Sequence, residues 1–141
     1  QITTGLQISN RYGSDLLFDV DAGGATNLQG CSGLNASIDG YGGNQAYFNA
    51  NPSFSLYLSG MEQVDQLEIE TNGTTCDTVL LIRDPLGNWH FDDDGGPGLE
   101  SRIEFDHGDF DMADFNGRVD VWVGTYHGND CTFEMEIDTE A

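Results

Sequence analysis

The sequence predicts an all-β protein, an antiparallel β-sandwich built as a single domain over residues 1–141. Three observations carry this. Apolar residues recur at every second position in several short runs; no segment sustains a helical period; and 19 glycines are spread between the runs. A chain of 141 residues is also long enough to bury a core of its own.

The first elements are the least regular. "ITTGLQIS" and "DLLFDVDAGG" read as one or two strands, with residues 1–15 as an N-terminal extension strand. "QGCSGLNASIDGYGGNQAYFNANP" is rich in Gly and Asn and reads as a long surface loop. Its Tyr41, Tyr47 and Phe48 are candidates for contact with a partner. "FSLYLSG" then places Phe54, Leu56 and Leu58 on one face, and "QLEIE" points Leu67 and Ile69 inward.

"TVLLIR" and "VDVWVG" are apolar at consecutive positions, the pattern of central strands covered on both sides. The same pattern assigns Trp122 to the core, and Trp89 joins Phe91 on a buried strand face; the alternative for both is stacking on sugars from an exposed sheet face. "DPLG" at 84–87 is a turn: Asp84 opens it, Pro85 sets the next φ, and Gly87 closes it. "TVLLIR" and "NWHF" therefore form a hairpin. In "TFEMEID", Phe133, Met135 and Ile137 face the core, leaving Glu134, Glu136 and Asp138 in water.

Charge excludes several functions. Asp and Glu number 25 against 4 cations, all arginine, for a formal net charge of -21. Such a field repels nucleic acid and anionic membranes and attracts cations. Bound calcium, a saline habitat and solubility all remain open as its reason. No apolar run approaches the roughly 20 residues that a membrane helix needs. Gln1 fits a position just after signal cleavage, as in an exported protein. No G-x-S-x-G or H-E-x-x-H occurs, and the expectation is that the protein is not an enzyme.

Calcium is the expected ion, and two segments could hold it. Asp92, Asp93 and Asp94 are adjacent, repel one another, and precede glycines that can turn carbonyls inward; Glu100 could close the shell. The competing reading is an Asx-capped turn balanced by Arg102. The second segment is "DHGDFDMAD", with Asp106, Asp109, Asp111 and Asp114, which reads equally as a solvated acidic loop. The cysteines are Cys31, Cys76 and Cys131, none in a C-x-x-C pair. A Cys76–Cys131 bridge would close a loop of about 55 residues and contribute roughly 4 kcal/mol. Cys31 is then a buried thiol or an intermolecular link.

"CDTVLLIRDPLGNWHFDDDGG", "SRIEF" and "GRVDVWVGTYHGNDCTFEMEI" together resemble the bacterial pre-peptidase C-terminal domain. The shared features are Asp77-Thr78-x-Leu80, the D-P-x-G turn, the DDD-Gly segment and the Gly117–Tyr126 strand. The resemblance implies a jelly-roll-like sandwich from exported proteins, no catalytic residues, and a bridge between Cys76 and Cys131. Two function classes follow. One is a structural or self-assembling extracellular protein, a filament or surface-matrix subunit, associating through its N-terminal strand. The other is an accessory module of a secreted hydrolase that binds polysaccharide or fibrous protein.

Overall fold

Two sheets are packed face to face in the computed structural model, which describes residues 2–5, 14–30, 38–39, 41, 45–72, 76–93, 100–128 and 131–140. The strands are β1 (Ile2–Gly5), β2 (Ser14–Ala22), β3 (Thr26–Asn27), β4 (Ile38–Asp39), β5 (Tyr47–Phe48), β6 (Phe54–Leu58), β7 (Gln66–Asn72), β8 (Thr78–Arg83), β9 (Trp89–Asp92), β10 (Arg102–Asp106), β11 (Gly117–Thr125) and β12 (Cys131–Glu140). The smaller sheet runs β10-β7-β12-β2, and the larger has the main order β1-β6-β11-β8-β9-β4, with β3 and β5 added beside β11. Pairing is antiparallel except for β1 on β6 and β4 on β9, both parallel. The antiparallel β-sandwich expected from the alternation is the fold observed.

Alternation explains the core. Phe133, Met135 and Ile137 of β12, Leu67 and Ile69 of β7, and Phe54, Leu56 and Leu58 of β6 are all buried between the sheets. Phe18 meets Phe54 edge to face across the layers, with ring centroids 5.0 Å apart. The hairpin predicted from "DPLG" joins β8 to β9, with Arg83 opposite Trp89. The disulfide between Cys76 and Cys131 is present, its Cα atoms 6.5 Å apart, and anchors the start of β12 beside the approach to β8.

The Gly- and Asn-rich connection differs from the expected surface loop. Its described residues include Leu28, Ile38, Ala46 and Phe48, all buried against Val79, Leu81 and Phe91. β3, β5 and the turn at Leu28–Gly30 therefore fold as a third layer over the outer face of the larger sheet, and edge strand β4 adds Ile38 to that face. Phe48 belongs to this second core, and Tyr41 packs edge-on against Phe91 at 5.0 Å. Neither is a free contact residue. Trp89 and Trp122 lie here too, half-buried rather than enclosed. The strands that read as apolar on both faces are so because this layer makes their outer face a second interior.

Backbone approach at that layer is close. A Cβ on Gly124 would lie 2.1 Å from the Tyr47 carbonyl oxygen and 2.7 Å from the Phe48 ring. A Cβ on Gly24 (φ +141°) would lie equally close, 2.1 Å from the Phe48 carbonyl carbon. Only glycine lets β5 lie flat on this part of the sheet.

Candidate functional site

The first acidic segment is tied down by hydrogen bonds. Asp92 Oδ2 accepts from the Arg102 backbone N–H at 2.8 Å, joining the end of β9 to the start of β10. The Ser101 hydroxyl lies 2.5 Å from the Asp93 carbonyl oxygen and 2.6 Å from that of Thr78. Glu100 is half-buried just before β10. Asp94 falls outside the described residues, as does Cys31. The Arg102 guanidinium turns to Glu104, with Nε 3.2 Å from Oε1.

The second segment folds into a turn and a short 3-10 helix at Met112–Phe115. Asp106 O accepts from the N–H groups of Asp109 and Phe110, and Asp106 Oδ1 accepts from Gln66 Nε2 at 2.9 Å. Asp111 caps the 3-10 helix, its Oδ1 accepting from Ala113 N–H at 3.1 Å. Asp114 extends from the first turn of that helix. Met112 and Phe115 are buried below it, and Phe110 stacks edge-on against Phe105 at 5.3 Å. The segment is a lid on the end of the main core, with carboxylates on its outer side.

Among the described residues, three carboxylates converge elsewhere. Ligand-type oxygens of Glu68, Glu70 and Asp138 lie within 4.8 Å of one another on the outer face of the smaller sheet. Register brings them there: Glu104 of β10 opposes Glu68 of β7, which opposes Asp138 of β12. The next row is Arg102, Glu70 and Glu136. Like charges directly opposite one another on a sheet are unfavourable. Burial first, then the hydrogen bond to Glu104 and the charge of Glu70, raise the Glu68 pKa from 4.5 to about 7. Glu70 is also raised, by burial foremost and further by Glu136, with the bond to Glu68 and the charge of Arg102 acting the other way. Amide side chains relieve the crowding: Gln66 donates to Glu104 and Asp106, and Asn72 donates to Glu136.

A buried polar pair sits on the inner side of the hairpin. His90 Nε2 lies 3.0 Å from Asp84 Oδ2, both side chains nearly inaccessible. Asp84 Oδ1 accepts from Leu86 N–H at 3.0 Å and Asn88 N–H at 2.9 Å, so one carboxylate closes the turn and holds the histidine. Phe105 and Phe110 flank the imidazole. The "DPLG" signal located Asp84, but its partner six residues on shows only once the hairpin places it.

No family model matches the chain, and no curated protein matches it. Among solved structures it is similar to the pre-peptidase C-terminal domain of collagenase from Bacillus anthracis. Identity there is 9%, coverage is 96% of this chain and 91% of that one, and the TM-score is 0.44. It is also similar to PliG, a periplasmic inhibitor of g-type lysozyme from Aeromonas hydrophila, at 6% identity, 99% and 96% coverage, and a TM-score of 0.42. At these identities and TM-scores neither likeness assigns a function.

Proposed function

We propose that this chain is a non-catalytic, exported structural protein that associates with further copies of itself by exchanging β1. One observation carries the reading: β1 is a four-residue strand laid parallel along β6, at the edge of the larger sheet. The next strand in sequence, β2, belongs to the other sheet. The β1–β6 ladder can therefore form within one chain or between two, with the same register and backbone bonds. Without β1, β6 presents an open edge, which a strand from a neighbour completes. Export is supported by the Cys76–Cys131 disulfide, since such bridges persist in oxidising compartments. Calcium belongs to the reading as counter-charge for Asp92, Asp93, Asp94 and Glu100 and for the 106–114 segment, in a chain of net charge -21.

Light scattering after size exclusion tests the exchange. The intact chain is expected to associate on raising concentration, and a chain lacking residues 1–5 to remain monomeric. Undiminished association of the shortened chain would overturn the reading. The calcium component is tested by melting at constant ionic strength, where EDTA should lower Tm and added calcium restore it. An unchanged Tm removes calcium from the proposal and leaves the strand exchange standing.

A further inference from the structure

The outer layer leaves a cleft that the strand exchange does not use. One side of it is formed by the indoles of Trp89 and Trp122, which pack against each other across β8 with ring centroids 5.2 Å apart and planes tilted by 38°. Leu28, Phe48 and Leu81, all buried, form its floor. Thr26 and Asn49 are exposed at its rim. The volume is about 250 Å³, room for one ring rather than a chain of them. Two further contacts hold the indoles. Trp122 Nε1–H donates to the Ala50 carbonyl at 3.3 Å, and the Arg83 guanidinium carbon lies 5.8 Å from the Trp89 ring centroid.

From this geometry we infer that the cleft is a binding site for a neutral sugar ring of a glycan. A pyranose has an apolar C–H face and a rim of hydroxyls, and the cleft has the complementary layout of an indole side, an apolar floor and polar side chains at the mouth. An anionic sugar would enter against the field of a chain with net charge -21. Cations are drawn to the carboxylates of the smaller sheet rather than to this cleft. The cleft lies on the larger sheet's outer face, and its lining includes no residue of β1, so the inference stands or falls apart from self-association.

Calorimetry and tryptophan fluorescence on the whole chain provide the test. The probes are neutral hexamers of α-1,4-glucose, β-1,4-glucose and β-1,4-mannose, with a glucuronate polymer as the charged control. At least one neutral hexamer is expected to bind and shift the tryptophan emission, and the glucuronate polymer to bind more weakly. Trp89→Ala should weaken binding about tenfold or more by removing one stacking face. Thr26→Trp fills the mouth from an exposed position, should leave Tm unchanged, and should abolish binding. Absence of heat and of any emission change with all three neutral hexamers at about 10 mM would overturn the inference. Binding that survives Thr26→Trp, or that is tighter for glucuronate, would overturn it equally.

Discussion

Glu68 is half-buried, and that burial, with the carboxylates of Glu104 and Glu70 beside it, holds its proton to about pH 7. Its folded pKa lies above its unfolded one, so the stabilisation is complete below about pH 4.5 and is lost as the pH rises through about 7. Screening by solvent leaves about 1 kcal/mol of this. Melting temperature at low salt should therefore fall between pH 5 and pH 8. Glu68→Gln should raise Tm at pH 8 and flatten that fall; an unaltered pH profile would refute the assignment to Glu68. Asp84 holds the hairpin together, because its carboxylate serves two turn N–H groups and a buried histidine at once. Asp84→Ala leaves those donors and His90 without their acceptor, and should cost about 2–4 kcal/mol in denaturant unfolding.

Among the elements, the outer layer depends most on a single residue. Gly124→Ala places a methyl group where the Tyr47 carbonyl and the Phe48 ring already lie. β5 must lift, and Leu28, Ala46 and Phe48 lose part of their cover. A loss of about 2–4 kcal/mol is expected. Tryptophan emission should shift to the red as Trp89 and Trp122 become wetter; an unshifted spectrum with wild-type Tm would contradict the packing described. The same layer marks where reading the sequence stops. Phe133, Met135 and Ile137 announce β12 because alternation is local and needs no knowledge of a partner. Ile38 and Phe48 lie on strands two residues long, Leu28 opens a three-residue 3-10 turn and Ala46 precedes β5, all too short to display any period. The converging carboxylates were hidden differently. Each of "QLEIE", "RIEFD" and "TFEMEID" shows its acids pointing outward, but only the register of β10, β7 and β12 sets Glu68 beside Glu104 and Asp138.

Across the whole molecule the charge is distributed unevenly between the two outer surfaces. The smaller sheet shows carboxylates to solvent, while the larger sheet is covered around Val79, Leu81 and Phe91 by apolar residues of its own chain. The bridge between Cys76 and Cys131, 55 residues apart in sequence, ties β12 of the smaller sheet to the approach to β8 of the larger. Replacing both cysteines by serine should lower stability by about 2–4 kcal/mol in denaturant, with the far-UV spectrum unchanged. An equal midpoint for the two proteins would show that the bridge contributes nothing. Repulsion over the smaller sheet should also make the protein more stable in about 0.5 M salt than at low ionic strength, where the Debye length exceeds the strand spacing.

The third layer has a consequence for how the molecule opens. Its short bridges contribute few ladder bonds, and its core of Leu28, Ile38, Ala46 and Phe48 is separate from that between the sheets. Native-state amide exchange should therefore resolve two protection levels: the Tyr47 and Phe48 amides exchanging through a partial opening of low free energy, and those of β7 and β12 only through global unfolding. In the partly opened form the sandwich persists with one face of its larger sheet bare. That state would be minor, and it would be the most adhesive the chain populates.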